Sequence, residues 1–266
     1  MRLLQKGRTY TVDEQHWRRY LGAFHDARPG ITERLFRLAD ASPYEWLATA
    51  LPAPQRTVVD LACGSAPMRS LLPDARWIGI DASAGELAEA VRLGRRPVVR
   101  ADATALPVRS ACTDAVCASM CLPVLTPLPQ VLDEIRRVLR PGGTLVAMVP
   151  AQSGLSLRGA LAWARVMYTL RTLRQPWPNP RARDGLAALL RDAGFHIRSD
   201  ERRVFTLHLD TPEAGALLVD GLYLPHLTER RSRTARRDLG DWARSGRRLE
   251  LPLRRIVTAP APGLEG

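Results

Sequence analysis

Lysine is almost missing from this chain of 266 residues, since Lys6 is the single copy and arginine carries nearly all of the formal net charge of +12. The basic excess is concentrated late, because residues 151–266 hold 20 basic and 12 acidic side chains. Many of these arginines lie in residues 228–248, where Trp242 is the only aromatic residue. A basic helix can follow a phosphate backbone, which would suit RNA as a partner, but charge runs are more often solvated surfaces.

Long apolar runs are missing as well. No stretch approaches the roughly eighteen apolar residues that a membrane-spanning helix needs, so we expect no membrane partner. The first residues turn polar too early for a secretory signal, which predicts a cytoplasmic protein. The four cysteines Cys63, Cys112, Cys117 and Cys121 form no CxxC pair. We interpret them as reduced, small apolar residues of the core, and we expect no metal.

The stretch from Thr57 to Ser83 organises the rest of the chain. Residues 58–61 form a short apolar strand that breaks into a loop of small residues, and a second strand ends on Asp81. A strand, a small-residue turn, a helix and a strand with a terminal acid are typical of a nucleoside-binding unit. Loop amides can then approach a ligand, and the Asp81 carboxylate can accept both hydroxyls of a ribose. An α/β crossover that binds nothing fits the same pattern.

The first fifty-five residues are predicted to be helical. Thr11 with Glu14 has the spacing of a capping box, and Ser42 with Pro43 predicts another helix start. Residues 51–54 read as a stiff, proline-rich connector. Because these helices have no strand partner, we expect them to pack over the sheet edge or its ligand crevice.

The middle of the chain alternates strands with helices. Further strands are predicted at residues 97–99, 113–119 and 144–149, and Asp102 follows the first of them. Together with the two earlier strands they predict a doubly wound parallel sheet with right-handed crossovers. Such a sheet binds its ligands at the carboxyl ends of the strands, where Asp102 stands.

Five motifs in order within residues 58–149 carry a family resemblance: DLACGSAP, GIDAS, RADATALPV, TDAV and LDEIRRVLRPGGTLV. The region resembles the class I S-adenosylmethionine-dependent methyltransferases, particularly the type 11 methyltransferase domain. That resemblance implies an α/β fold with a Rossmann-like, mostly parallel seven-stranded sheet whose last two strands form a reversed hairpin, with residues 251–258 as the last strand. It divides the chain into an N-terminal helical cap (1–55), a cofactor-binding core (56–150), and lid helices with the last two strands of the same sheet (151–266).

The resemblance also implies roles for individual residues, with S-adenosylmethionine as the cofactor. Asp60 would help to hold the methionine ammonium, Asp81 would bind the ribose hydroxyls, and Asp102 with Ala103 would read the adenine edge. The other implied cofactor contacts are the three glycine positions Ala62, Gly64 and Ala66, then Ala82 beside the adenine, and Ser119 and Met120 at the end of the fourth strand.

Two features depart from the family pattern. Alanine at two of the three glycine positions is costly wherever φ must be positive, so a non-catalytic methyltransferase-like binding domain is an alternative. Residues 120–125 are apolar and offer no base. Direct displacement at a methyl carbon needs mainly alignment and exclusion of water, so this does not argue against activity. If a base is needed, His25 in the cap and His226 in the lid are the candidates.

The last part of the chain is predicted to supply the lid. A helix over residues 155–173 and another beginning at Thr211 mix apolar side chains with arginines, which favours a small or medium organic acceptor with anionic character. We expect direct methyl transfer to this small-molecule acceptor. An RNA methyltransferase that uses residues 228–248 is the alternative. An NAD-binding oxidoreductase fits less well, because the loop after the first strand lacks the GxGxxG spacing.

Overall fold

The structure is a computed structural model that describes residues 13–51, 56–151, 153–173 and 175–261. In these residues the helices are α1 (Glu14–Ala27), α2 (Ile31–Phe36), α3 (Pro43–Ala48), α4 (Met68–Leu71), α5 (Ala84–Arg92), α6 (Leu128–Val138), α7 (Leu157–Leu170), α8 (Arg181–Asp184), α9 (Leu186–Asp192), α10 (Pro212–Asp220) and α11 (Glu229–Ala243). The strands are β1 (Thr57–Leu61), β2 (Arg76–Asp81), β3 (Val98–Arg100), β4 (Thr113–Ser119), β5 (Leu139–Pro150), β6 (Phe195–Leu209) and β7 (Arg247–Pro260).

The strands form one seven-stranded sheet in the order β3-β2-β1-β4-β5-β7-β6. The first five strands are mutually parallel, and β7 runs antiparallel to both β5 and β6. The predicted Rossmann-like sheet with its reversed last hairpin is therefore confirmed. The strand order reverses between β1 and β4, and in open α/β sheets ligands bind beyond the strand ends at such a point.

Two strands are longer than the sequence predicted. β5 begins at Leu139 rather than at 144, because Leu139 already pairs with Thr113 before the register shifts. β7 begins at Arg247 rather than at 251 and pairs with β6 along its whole length, although its pairing with β5 stops at Leu253. We call the segment of the hairpin that lies beyond β5 the hairpin overhang (204–209 and 247–252). It stands clear of the parallel sheet.

Alternation along the buried strands divides the core between the two faces of the sheet. Val59 packs with the apolar stripe of α6 and with α9, whereas Val58 packs with α3, α4 and α5 on the opposite face. A third apolar cluster joins α7, α10 and α11 to the hairpin overhang. Three of the cysteines are buried as expected, but Cys112 is exposed in the turn before β4, so its assignment to the core was wrong.

The amino-terminal helices begin partly where the sequence predicted. Ser42 caps α3 by accepting a hydrogen bond from the Glu45 amide at 3.2 Å, as the capping pattern indicated. α1 instead uses Asp13 as its N-cap. The predicted cap Thr11 lies outside the described residues, as do residues 52–54 of the predicted connector. Segment 38–40 continues beyond α2 and pairs with the hairpin overhang, through the His208 amide to the Leu38 carbonyl at 2.7 Å. Within the part of the chain described, no helix is long and apolar enough to cross a membrane.

Candidate active site

A cavity of about 200 Å³ lies at the carboxyl ends of β1, β2 and β4 and extends under α1. Because parallel strands end at a common edge, the loops that follow them meet here. Among the described residues that line the cavity, five are acids, and Arg18 and His25 are the only basic residues. The acids are Glu33, Asp60, Asp81, Glu86 and Asp102. This excess of carboxylates suits a positively charged ligand.

The loop after β1 has an alternating backbone. Ala62, Gly64 and Ala66 have φ values of 51°, 55° and 57°, while the residues between them do not have positive φ. Alternation of this kind turns successive N–H groups toward a common concavity, which favours electronegative atoms. The two alanines thus occupy the left-handed conformation that favours glycine. The sequence did not determine the sign of φ at these positions, and the positive sign is the one that is costly for alanine.

Asp81 and Asp102 are held by nearby donors. Asp81 accepts hydrogen bonds from the Gly64 and Ser83 amides, each at 2.8 Å, and burial raises its pKa although these donors lower it. Asp102 accepts from the amide and hydroxyl of Thr104 at 2.9 and 2.7 Å, and it pairs with Arg18 of α1. Both carboxylates are therefore oriented before any ligand binds.

Among the acids of this cavity, Asp60 is the one whose negative charge is least compensated. Its side chain is only 1% exposed, and its Oδ2 atom has no hydrogen-bond partner in the described chain. Burial, and then the nearby charge of Asp81, raise the pKa of Asp60 to about 8. The hydroxyls of Ser119 and Thr126 also line the cavity and are buried without a partner among the described residues. Buried polar atoms left unpaired in this way are costly, and a bound ligand can satisfy them.

α1 covers the cavity and is fastened at several points. The Trp17 indole donates to the Val124 carbonyl at 3.0 Å, and the Tyr20 hydroxyl accepts from the Leu224 amide at 2.9 Å. At its other end, Asp26 accepts from the Ser83 hydroxyl at 2.7 Å and the Gly85 amide at 3.0 Å. The helix thereby joins the segment after β4, the start of α5 and the insertion between β6 and β7.

His25 lies between a buried carboxylate and a phenol. Its Nδ1 is 2.8 Å from Glu86 Oε1, and its Nε2 is 3.1 Å from the Tyr223 hydroxyl. Glu86 is 2% exposed, and its other oxygen accepts from the Gly30 amide at 2.7 Å. Burial raises the pKa of Tyr223 above its ordinary value, so the phenol stays protonated at neutral pH. The three side chains form a continuous hydrogen-bonded row at the edge of the cavity.

Glu33 has a structural role in the same wall. Arg95 donates to its two oxygens at 2.7 and 2.9 Å, and the Ser65 hydroxyl donates at 2.7 Å. Although burial raises the pKa of Glu33, the hydrogen bonds from Arg95 and Ser65 outweigh it and lower the value to about 2. Arg95 also donates to the Ser65 carbonyl at 2.8 Å, so α2 is locked to the loop after β1.

The structure brings most of the sequence-predicted cofactor residues together. Nine of the ten line this cavity, and Ala66, which is fully buried, is the exception. Of the two candidate bases, His25 lines the cavity, whereas His226 is exposed and does not line it. No group of three or more potential metal-ligating side chains converges within the described residues.

Sequence reasoning missed Glu86 and Tyr223. Glu86 had a local signal, since Ser83 and Glu86 have capping-box spacing and the Ser83 hydroxyl indeed accepts from the Glu86 amide at 3.1 Å. The Glu86 carboxylate nevertheless turns away from the helix to Gly30 and His25. Tyr223 gave no local signal, because its partner His25 is 198 positions away in the chain.

The sheet order and the reversed hairpin define a Rossmann-like α/β fold, and the acid-lined cavity lies at its switch point. Residues 59–147 match the family model described as a methyltransferase domain. This region contains the motifs that resemble those of the class I S-adenosylmethionine-dependent methyltransferases.

Curated relatives have methyltransferase names with different acceptors. A malonyl-acyl-carrier-protein O-methyltransferase of Alcanivorax borkumensis is 32% identical over 179 residues, which are 63% of this chain and 57% of that protein. The ubiquinone/menaquinone biosynthesis C-methyltransferase UbiE of Acidiphilium cryptum is 34% identical over 109 residues, or 37% of this chain and 44% of that protein. The match thus spans less than two thirds of the length of either relative.

Solved structures share the fold at low sequence identity. The cyclase SpnF superposes with a TM-score of 0.58 and 18% identity over 91% of this chain and 96% of its own. A phosphoethanolamine N-methyltransferase 2 from Haemonchus contortus gives a TM-score of 0.55 and 13% identity over 92% of this chain and 60% of its own. Because one of these proteins is named a cyclase, the fold by itself does not determine the reaction.

The left-handed alanines lead to a prediction about stability. Ala62→Gly is expected to raise the free energy of unfolding by about 0.5 kcal/mol, because relief of the left-handed strain slightly exceeds the entropy lost by glycine. Gly64→Ala, at the neighbouring left-handed position, is expected to lower it by about 1 kcal/mol. Urea unfolding of both variants measures the effect. Equal destabilisation by the two substitutions would show that Ala62 is not strained.

Asp60 leads to a prediction about pH. A pKa near 8 in the folded state, against an ordinary 3.8, means that the folded protein holds this proton more tightly than the unfolded chain. Stability should therefore fall as pH rises from about 4 to about 8. Asp60→Asn should remove this fall and be more stable than the parent by more than about 1 kcal/mol at pH 9, with little difference at pH 4.

Chemical denaturation across this pH range tests the prediction. Asp133→Asn is the matched control, because Asp133 lies on α6 with 69% of its side chain exposed. Parallel pH profiles for the parent and Asp60→Asn would contradict the assignment.

Proposed function

We propose that this protein is a methyltransferase that binds S-adenosylmethionine in the acid-lined cavity and transfers its methyl group directly to a small-molecule acceptor. The main support for this proposal is that Oδ2 of Asp60 is buried and has no hydrogen-bond partner among the described residues. The hydroxyl of Ser119, which also lines the cavity, lacks a partner there as well. An ammonium group has three N–H donors and a positive charge, so it would satisfy both atoms and offset the raised pKa of Asp60.

The other residues fit the remaining parts of the cofactor. Asp81 has carboxylate lone pairs beyond the two amide hydrogen bonds, and these would accept the ribose hydroxyls. Asp102 and Ala103 would meet the adenine, with Ala82 beside it, while the loop at 62–66 would lie under the methionine portion. When bound, S-adenosylmethionine supplies a methyl group on a positively charged sulfur.

The protein's own contribution is alignment, exclusion of water and, where the acceptor carries a proton, its removal. For an acceptor whose O–H or N–H faces Tyr223, that proton passes to the Tyr223 hydroxyl as the phenolic proton passes to Nε2 of His25. Glu86 balances the positive charge that then resides on the His25 ring, because its carboxylate is 2.8 Å from Nδ1. This assigns His25 as the base and leaves His226 without a role.

No structural observation favours the RNA alternative. Within the segment at 228–248, Arg236, Arg244 and Arg248 pair with Asp220, Asp241 and Asp210 at 2.5, 3.2 and 3.0 Å. Arginines that are neutralised by acids of the same chain contribute less to a phosphate-binding surface. A small-molecule acceptor therefore remains the proposal.

Binding of S-adenosylhomocysteine tests the cofactor assignment without an acceptor. Isothermal titration of the protein should give saturable binding, and Asp81→Ala should weaken it by about 100-fold, since hydrogen bonds to a charged group contribute about 1.5–3 kcal/mol each. Asp133→Ala, which removes an exposed acid of α6, should leave the affinity unchanged. Absence of binding of both S-adenosylhomocysteine and S-adenosylmethionine would refute the proposed function.

The hydrogen-bonded row of Glu86, His25 and Tyr223, which we call the proton-transfer row, leads to a prediction about the His25 ring. Neutral His25 should carry its proton on Nδ1, because the Glu86 carboxylate can only accept, which leaves Nε2 free to accept from Tyr223. Nitrogen-15 NMR of histidine-labelled protein measures this, and His25→Gln identifies the resonance among the five histidines. Tyr223→Phe should shift the Nε2 resonance and leave Nδ1 protonated. A proton found on Nε2 in the neutral ring would exclude His25 as the base.

A further inference from the structure

A second and larger cavity of about 390 Å³ adjoins the first. Its walls come from α2, α7, α10, the segment after β4 and the hairpin overhang. Most of the lining side chains are apolar, among them Phe36, Leu155, Trp163, Met167 and Leu251. Pockets of roughly 300–1,000 Å³ with such walls commonly bury a small organic ligand.

The two cavities share part of their lining. Thr32, Met120, Val124 and Tyr223 border both of them. Met120 follows β4 with a φ of 60°, and its amide donates to the Met148 carbonyl at 2.7 Å. A molecule in the second cavity therefore approaches the first at the end of β4, beside the proton-transfer row at Tyr223.

Polar groups in the second cavity are few. Arg183 is the only charged residue among the described residues that line it, and its guanidinium lies 5.1 Å from the centroid of the Trp177 ring. Trp177 also lines the cavity, and its indole Nε1 is buried with no hydrogen-bond partner in the described chain. The Arg183 guanidinium and the Trp177 indole N–H are neighbouring donors, and together they suit an anionic oxygen such as that of a carboxylate.

The loop that carries Trp177 is fixed to the segment after β4. The Asn179 side chain donates to the Leu125 carbonyl at 2.6 Å, and the Asn179 amide donates to the Pro123 carbonyl at 3.1 Å. Leu125 lines the first cavity and Pro123 lines the second. These hydrogen bonds fix the position of Arg183 and Trp177 relative to the junction of the two cavities.

We propose that the second cavity binds the methyl acceptor, and that this acceptor is an amphiphile with an apolar acyl or aryl body and one anionic group. The anionic group contacts Arg183 and Trp177, the body fills the apolar walls, and the reacting atom reaches the junction at Met120 and Tyr223. The assignment of this ligand as the acceptor rests on the proposed function, whereas the binding of an anionic amphiphile does not.

Sodium decanoate is the probe, titrated calorimetrically into the protein with and without saturating S-adenosylhomocysteine. One molecule should bind per chain, and butyrate should bind more than about tenfold more weakly, because each buried methylene contributes about 0.8 kcal/mol. Decyltrimethylammonium, with the same chain and a cationic head, should also bind more than about tenfold more weakly, because Arg183 repels it. Absence of decanoate binding, or equal affinity for the three probes, would overturn the inference.

Variants locate the binding site. Arg183→Gln should weaken decanoate by about tenfold and leave decan-1-ol unchanged, whereas Trp177→Phe keeps the ring and removes only the Nε1 donor, with a smaller loss. Arg181→Gln is the matched control, since Arg181 lies on the same helix, is 65% exposed and pairs with Asp192 at 2.8 Å. Ala151→Phe should weaken both decanoate and decan-1-ol by occupying the cavity. Equal effects of the substitutions at Arg183 and Arg181 would place the anion elsewhere.

The two proposals fail in different ways. Binding of S-adenosylhomocysteine without binding of decanoate would leave the proposed function intact and refute the acceptor class. Binding of decanoate without S-adenosylhomocysteine binding would refute the proposed function and support an amphiphile site in a protein that does not use this cofactor.

Discussion

The buried carboxylate of Asp60 at the end of β1, whose Oδ2 has no hydrogen-bond partner among the described residues, is the constraint on which the site depends. Asp60 cannot ionise at low cost, because burial and Asp81 both oppose its charge and raise its pKa to about 8. The neighbouring acids are stabilised in other ways: Asp81 by backbone amides, Glu33 by Arg95 and Glu86 by Gly30 and His25. Among the described residues, every acid of the cavity other than Asp60 is therefore held by hydrogen-bond donors, and Asp60 is left for a cationic ligand to complete. This arrangement is expected where stability is sacrificed for binding.

The covering helix gives this arrangement its shape. Because Trp17, Tyr20, His25 and Asp26 each contact a different part of the chain, α1 positions side chains over the cavity as well as excluding water from it. Burial under the helix also strengthens the electrostatic interactions beneath it, since charges in a region of low dielectric interact more strongly. The raised pKa values of Asp60, Asp81 and Tyr223 are consequences of the same burial.

The parallel half of the fold could be predicted from the sequence because its signals are local. The buried strand at 58–61, the small-residue loop and the acid at Asp81 lie within one short stretch, and the alternation of strands with helices after it predicts a parallel sheet. Glu86 and Tyr223 could not be predicted in the same way, because their partners are distant in the chain and tertiary packing decides where their side chains point. The sign of φ at Ala62 and Ala66 could not be predicted either, because alanine can adopt negative or positive φ. Only the folded loop shows that φ is positive at both residues. The second cavity left no sequence signal, because segments that are far apart in the chain, from Thr32 to Pro252, supply its walls.

The hairpin overhang has a consequence for how acceptor preference can diverge. Leu207, Leu251 and Pro252 belong to the part of the hairpin that extends past β5, and all three line the second cavity. Lengthening or shortening this hairpin would move those walls and the inserted α10 and α11, while the ends of β1, β2 and β4 would stay in place. Selectivity for the molecule in the second cavity can therefore change through the hairpin and the insertion while the strand ends of the first cavity keep their place. An engineer who grafts a different hairpin and insertion onto the same parallel sheet has to retain the contacts of Tyr223 and Leu224 with α1.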